Sequence, residues 1–366
     1  MKIAIIGAGK SGLACAYELE KYGISPVIYE RNGYIGEQWA HVVATMEIIN
    51  RPKKDDKIYL KENFDIELKP INKLKKVIHK SPNKTTTIKG NLGYLYKSDR
   101  DVDSVKYQLY SKLKNTKVLF NEAGDYELLS KEYDYVVIGT GNGIYPDEMG
   151  CWIELVSAYV RGATVIGDFN PQTLIVWLNK DYCKNGYAYL TPFDKKKASL
   201  TLVTTDVNEK EIDYYWEAFL AGIDIKYKII EEFKLAHNLG YAYPRIYKNI
   251  IFVGNSAGGV DPFLGFGMLN AITMGVAAAR TIAKGWDYEK QIKPVIQNNL
   301  EMKRFRKAFD NLNNKGYDNL MTAISLPGIK HLLYYTPINV TKVGAVSLDL
   351  WEKIKSINKN DIRDSL

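Results

Sequence analysis

Lys2-Ile3-Ala4-Ile5-Ile6-Gly7-Ala8-Gly9-Lys10-Ser11-Gly12 opens the chain with an unbroken apolar run that ends in Gly-x-Gly-x-x-Gly. Four consecutive apolar residues before the glycines predict a buried parallel strand, and the helical spacing of apolar residues from Ser11 to Tyr22 predicts a helix straight after it. Pro26-Val27-Ile28-Tyr29 then reads as a second strand, with Glu30 at its end. Strand, glycine turn, helix, strand and acidic residue in that order form the dinucleotide-binding fingerprint. Gly7 permits the tight turn. Gly9 lets the backbone approach a pyrophosphate, and Gly12 lets helix and strand pack closely. Amide groups at the helix start, aided by the helix dipole, hold the anion. Glu30 is expected to accept from the adenosine ribose hydroxyls, and its charge repels a 2′-phosphate. The residues of this unit therefore favour FAD or NAD over NADP.

Outward from that unit, 366 residues exceed what one hydrophobic core usually serves, so a second domain is expected. An apolar fraction of 46% and a charged fraction of 25% exclude disordered and fibrous classes. The start of the chain lacks the features of a signal peptide and no apolar run is long enough to span a bilayer, which predicts a cytoplasmic protein. Cys15, Cys151 and Cys183 are scattered, as are His41, His79, His237 and His331, so neither a disulfide framework nor a metal site is expected. Cys15 falls in the helical apolar pattern and reads as a small core residue. The segment Arg51 to Lys89 concentrates the positive charge, with twelve Lys/Arg against five Asp/Glu. No nucleic-acid-binding motif accompanies it. An anionic head group or membrane surface and a merely solvated face remain open for it.

Further along, Arg51 to Gly90 reads as loops and short strands, and Asp101 to Leu113 as a helix. Lys117–Phe120 and Tyr135–Ile138 read as strands. From Cys151 to Leu239 alternating, aromatic-rich runs such as Ala188–Thr191 and Ser199–Val203 predict an antiparallel sheet. Asn249–Val253 returns to a continuous buried strand, Leu269 to Ala283 is an Ala-rich helix, and the rest is helical with a Pro-broken apolar stretch from Ile324 to Trp351. The fold class predicted is α/β: a Rossmann-type FAD-binding domain, an interleaved antiparallel-sheet substrate domain and a C-terminal helical segment. The expected division is 1–50, 90–150 and 245–300 for the cofactor, 51–89 and 151–244 for the substrate sheet, and 301–366 for the helical region.

Two more glycine-rich segments carry a resemblance. Tyr135-Val-Val-Ile-Gly-Thr-Gly-Asn-Gly143 and Asn249-Ile-Ile-Phe-Val-Gly-Asn-Ser-Ala-Gly-Gly-Val-Asp-Pro-Phe-Leu-Gly-Phe-Gly-Met268 resemble paired segments of the p-hydroxybenzoate hydroxylase-fold flavoproteins. Within that superfamily the sequence is most similar to the geranylgeranyl reductase family. Its Gly-Asp-Ala-Ala-Gly, Pro and Gly-x-Gly-Ile/Met motifs are matched by Gly254, Ala257, Gly258, Pro262, Gly265, Gly267 and Met268. Gly186-Tyr-Ala-Tyr-Leu-Thr-Pro192 resembles its substrate-sheet element, and Gly93-Tyr94, then Arg100 and Asp103, resemble its Gly-Tyr-x-x-x-Arg-x-x-Phe-Asp run, with five residues between Tyr and Arg and one residue fewer between Arg and Asp.

The resemblance implies FAD contacts from Gly7, Gly9, Ser11, Gly12, Glu30, Arg31, Arg100, Thr140, Gly141, Gly254, Asn255, Pro262, Gly265, Phe266, Gly267 and Met268. It implies hydride transfer from reduced flavin to an apolar, isoprenoid-like alkene lying against Trp177, Tyr187, Tyr189 and Phe193. Tyr189 or water would supply the proton, and an external donor, NAD(P)H or ferredoxin-like, the electrons. Asn255 stands where the family has Asp, keeping a carbonyl acceptor without the charge. Phe266 stands where it has Glu. Gly139 to Gly143 read alone also fits a second dinucleotide turn for NAD(P)H, although no amphipathic helix follows it. A flavin monooxygenase or halogenase is a second reading, and a non-catalytic flavin- or lipid-binding protein a third. Ile324 to Trp351 is expected to cover the substrate mouth and touch membrane lipid peripherally.

Overall fold

The computed structural model describes residues 1–49, 55–223 and 227–336. The opening apolar run forms the strand Ile3–Ile6, buried along its whole length at the centre of a six-stranded sheet. In spatial order that sheet is Ile246–Tyr247, Ile250–Phe252, Tyr135–Ile138, Ile3–Ile6, Val27–Glu30 and Lys117–Phe120. Its strands pair in parallel except for the edge hairpin at Ile246–Ile251. Parallel strands covered on both faces read as continuous apolar runs, which is how these strands appear in the sequence.

Two long helices lie together against this sheet, Lys10–Lys21 and Met268–Lys284. Their close approach depends on glycine. A Cβ on Gly275 would lie 2.1 Å from the Ser11 carbonyl oxygen, and one on Gly12 would lie 2.1 Å from that of Gly7. Their ends are tied by Glu18, which is 2% exposed and accepts from Arg280 Nε at 2.7 Å and Lys21 Nζ at 3.0 Å. Burial alone would raise the Glu18 carboxyl, but these two cations outweigh it and hold it below the usual range.

The second sheet has eight strands, in the order Lys228–Ala236, Ala158–Ile166, Lys197–Thr205, Tyr187–Pro192, Thr173–Trp177, Asn72–Lys80, Thr85–Ser98 and His41–Met46. It is antiparallel except that Thr173–Trp177 and Asn72–Lys80 run in parallel. The sheet curls until its edge strand reaches Thr191, whose hydroxyl donates to the Val42 carbonyl at 2.9 Å. A short two-stranded ladder, Leu239–Ala242 with Trp152–Val156, joins the layers.

The segment expected as loops and short strands is corrected by a hairpin of nine and fourteen residues, Asn72–Lys80 and Thr85–Ser98. Leu74, Val77 and Ile88 point into the core while Lys73, Lys80 and Lys89 are exposed, so the charges that hid the strand pattern belong to its solvent face. His41–Met46 and Gly90–Ser98, placed by the sequence reading with the cofactor-binding part, pair within this second sheet. The helix expected from Asp101 is only Val105–Tyr110, because Ser104 caps it by accepting from the Tyr107 amide. Asp101 and Asp103 instead pair with Lys97.

Tyr288–Asp310, Asn314–Ser325 and Pro327–Tyr335 are the C-terminal helices. The last two dock on the hairpin: Thr86 Oγ1 donates to the Met321 carbonyl at 2.9 Å, and Tyr335 Oη to that of Lys89 at 2.6 Å. Pro337, Lys342 and Trp351 of the expected apolar stretch lie outside the described residues. No described helix is long and apolar enough to cross a membrane.

Candidate functional site

One continuous cavity of about 2490 Å³ runs from the glycine turn of the first sheet to the inner face of the second. Pockets for one small ligand hold roughly 300–1,000 Å³. The space therefore suits a dinucleotide and a second molecule together.

At the Rossmann end Gly7, Gly9, Lys10, Ser11, Glu30 and Arg31 line it. Gly7 has φ +100°, and a Cβ there would lie 2.7 Å from the Gly139 carbonyl oxygen, so only a bare backbone fits the turn. The helix Lys10–Lys21 begins at Gly9 with no side-chain cap, which leaves its first amides for a ligand. Glu30 accepts from the Ala8 amide at 2.8 Å and from the Asn32 amide and side chain, both at 2.9 Å. Its carboxylate is thus fixed at the lip of the turn. Beside it Glu37 accepts from Lys10 Nζ at 2.8 Å and Lys106 Nζ at 2.9 Å. Burial alone would raise the Glu37 carboxyl, but the two ammonium groups hold it well below the usual range. The trio carries one net positive charge next to the anion-binding turn. The sequence reading did not single it out, although Lys10 lies inside the fingerprint itself.

The middle of the cavity is formed by the loop after Ile250–Phe252 and by the edge strand His41–Met46. Asp261 organises the loop: it accepts from the amides of Phe263 at 3.0 Å, Leu264 at 2.7 Å and Phe266 at 2.7 Å. Burial pushes its carboxyl up to about 6, against the pull of those amides. Gly265 has φ +72° and faces open space apart from the Tyr187 hydroxyl at 3.9 Å. The helix Met268–Lys284 starts at Gly267, again without a side-chain cap. Two uncapped helix starts therefore open on one cavity. Asn255 donates from Nδ2 to the Gly141 carbonyl at 2.7 Å, while its buried Oδ1 has no partner. A buried acceptor left over beside a ligand space fits a ligand hydroxyl. Thr140, Gly141, Pro262, Phe266 and Met268 also line the space, and Gly12 and Gly254 sit behind it as packing residues. Arg100 lies outside the lining, stacked over Tyr34 at 3.9 Å.

The far end is one face of the eight-stranded sheet. Leu174, Val176, Leu178, Tyr187, Tyr189, Thr191, Thr201 and Val203 line it, every second residue of their strands. Two substrate expectations are corrected here. Trp177 is turned to the opposite face, packed edge-on against Phe219, because alternation sends neighbours of Val176 away from the cavity. Phe193 lies past the end of its strand in the core, with Lys197 Nζ 4.6 Å from its ring centre. Tyr187 and Tyr189 do face the cavity, and Tyr187 Oη donates to the Leu264 carbonyl of the loop. Burial raises the pKa of both phenols, so both are neutral donors near pH 7. Three further lining residues carry no signal in the sequence: Trp39 and Phe233, stacked with centroids 5.8 Å apart, and His79. Ile324 and Tyr334 reach the cavity from the C-terminal helices.

Residues 5–52 match the model of the NAD(P)-binding Rossmann-like domain. Among solved structures, the chain is similar to a geranylgeranyl bacteriochlorophyll reductase-like protein from Thermoplasma acidophilum, with 16% identity, 94% of this chain and 98% of that one covered, and a TM-score of 0.69. It is also similar to the flavin-dependent brominase Bmp2, with 14% identity, 95% and 99% coverage and a TM-score of 0.64. CmlS, a flavin-dependent halogenase, is 15% identical over 98% of this chain and 77% of that one, with a TM-score of 0.62. The fold, a Rossmann-like layer with a curled sheet and C-terminal helices, is that of FAD-dependent oxidoreductases.

Proposed function

We propose that this chain is an FAD-dependent oxidoreductase that passes hydride from reduced flavin to an apolar, unsaturated, isoprenoid-like substrate, as geranylgeranyl reductases do. The carrying observation is the cavity itself: a dinucleotide turn at one end, an apolar sheet face at the other, and a glycine-rich, uncapped helix start between them. FAD supplies the hydride chemistry when bound. Glu30 would accept from its adenosine ribose, the amides after Gly9 would hold its pyrophosphate, and Asn255 Oδ1 would accept from a ribityl hydroxyl. Gly265 leaves room for a ring against the backbone, Gly267 packs against Val260 and starts the helix, and the start of Met268–Lys284 favours the negative charge a reduced flavin ring carries. Tyr189 is the candidate proton donor, beside water, and the electrons come from an external donor, NAD(P)H or ferredoxin-like.

The solved structures that share the fold keep a monooxygenase or halogenase as the second reading. One observation weighs against the halogenase: the only lysines on the described cavity wall are Lys10 and Lys106, both tied to Glu37 at the Rossmann end and none on the sheet face. The helix Pro327–Tyr335 and its cap leave Leu326, Ile329, Leu332 and Tyr335 exposed, which supports peripheral lipid contact near the mouth, to be checked by liposome co-sedimentation. The reaction is tested by mixing the reduced, FAD-loaded protein with a polyprenyl alkene without oxygen. Flavin reoxidation with a product heavier by two hydrogens is expected. Oxygen-dependent hydroxylation or halogenation would favour the second reading, and binding without any turnover the non-catalytic one.

A further inference from the structure

The wall of the cavity far from the glycine turn holds a ring nitrogen without a partner, and the Thr45 hydroxyl on the edge strand is also without one. His79 lies on Asn72–Lys80 and lines the cavity, and its Nδ1 is buried with no hydrogen bond. Most buried side-chain polar atoms in folded proteins have a partner, so an orphan that faces a cavity has room for one from a ligand.

Strand register fixes what stands beside it. His79 is directly opposite Val176, Val176 opposite Tyr189, and Tyr189 opposite Thr201. Residues in direct register share a face of the sheet, so these four form one row across the cavity wall. Strands lie ~4.8 Å apart, which puts the His79 backbone on the order of 10 Å from that of Tyr189. Tyr187, next to Tyr189 on the same face, reaches the glycine-rich loop at Leu264. His79 is therefore at the end of the row remote from the loop, opposite Thr86 in the hairpin on which Met321 docks, and Met321 and Ile324 line the same cavity.

We propose that His79 binds the single polar oxygen of an otherwise apolar substrate, an alcohol or a carbonyl, and so orients the chain with its reacting carbons toward the loop. This rests on the apolar-substrate reading above and names its substrate class. A neutral imidazole offers one donor and one acceptor, which suits an uncharged oxygen. Burial, the sole cause acting on the ring, lowers its pKa to about 4 and keeps it uncharged near pH 7, so a carboxylate or phosphate has no cation to meet there. Val77, Leu174 and Val176 around it would hold hydrocarbon by burial alone.

The experiment uses the FAD-loaded protein and two probes, geranylgeraniol and the hydrocarbon of the same chain with the hydroxyl removed, titrated against the flavin absorbance. The alcohol is expected to bind at least tenfold more tightly than the hydrocarbon. His79→Leu should abolish that preference while leaving hydrocarbon affinity and FAD content unchanged, and His79→Gln, which keeps a donor and an acceptor, should retain most of it. Equal binding of the two probes to the native protein, or an unaltered preference in His79→Leu, would overturn the assignment while leaving the apolar cavity intact. Binding of neither probe by FAD-loaded protein would overturn the apolar-substrate reading and this inference with it.

Discussion

Glu30 is held before any ligand arrives, because the Ala8 and Asn32 amides already occupy part of its carboxylate. Oε2, which accepts from Ala8 alone, has a further lone pair, and hydrogen bonds to charged groups contribute ~1.5–3 kcal/mol. Since ~1.4 kcal/mol is tenfold in affinity, Glu30→Ala should weaken FAD binding at least tenfold in equilibrium titration of the apoprotein. Glu30→Gln keeps the shape and one acceptor and should fall between. Equal affinities for all three would remove the ribose assignment. Glu30 and the turn glycines were legible in sequence because each acts on backbone within its own strand-helix-strand unit. Trp177 was misread for the opposite reason. A one-residue change of phase sends a strand side chain to the other face, and an aromatic-rich run does not reveal which face is the cavity. His79 was invisible too, since its place depends on a parallel pairing with a strand far away in sequence.

The contact between Lys10–Lys21 and Met268–Lys284 decides how the fingerprint is presented, because the second helix seats directly on Ser11 and Cys15. Gly275→Ala would gain ~1 kcal/mol of helix propensity. It would also force a Cβ to within 2.1 Å of a backbone oxygen, and such overpacking costs ~1–3 kcal/mol or more. A lower midpoint in chemical denaturation is therefore expected, with weaker cofactor retention as Ser11 shifts. Gly328, in Pro327–Tyr335, has nothing within 4 Å of an added Cβ, so Gly328→Ala should be neutral or slightly stabilising. A midpoint unchanged by Gly275→Ala would mean that the two helices are free to separate. The Ala-rich composition of Met268–Lys284 gave its helical character away, but the partner against which it packs is set by tertiary contact. Likewise, the lysines of Asn72–Lys80 masked a strand whose inner face is ordinary core.

Across the whole molecule, three half-buried histidines couple stability to pH. Burial lowers the pKa of His41, His79 and His237, the first with Glu37 opposing and the second to about 4. Each binds its proton less readily in the fold than in the unfolded chain, which protonates below the ordinary value of 6.5. The unfolded state then binds more protons, so stability is full above about pH 6.5 and is lost as pH falls toward the folded values. Urea midpoints should decline from pH 7 to pH 5, and less steeply in His79→Gln. An unchanged slope in that variant would contradict the burial of this ring. At the same scale, the interleaving of the two sheets makes one cavity out of segments spread along most of the described chain. The fingerprint announced its Rossmann end. The apolar remainder emerged only when the curled sheet brought its inner face to the same space.

FAD in that cavity is the central claim. Titrating the purified, ligand-stripped protein with FAD and, separately, with NAD⁺ and NADP⁺, while following flavin absorbance and intrinsic fluorescence, tests it most directly. One FAD per chain with a perturbed flavin spectrum is expected, along with no saturable nicotinamide binding at the Gly7 to Gly12 turn. Saturable binding of NAD⁺ or NADP⁺ there, lost in Glu30→Ala and accompanied by no uptake of FAD, would contradict it.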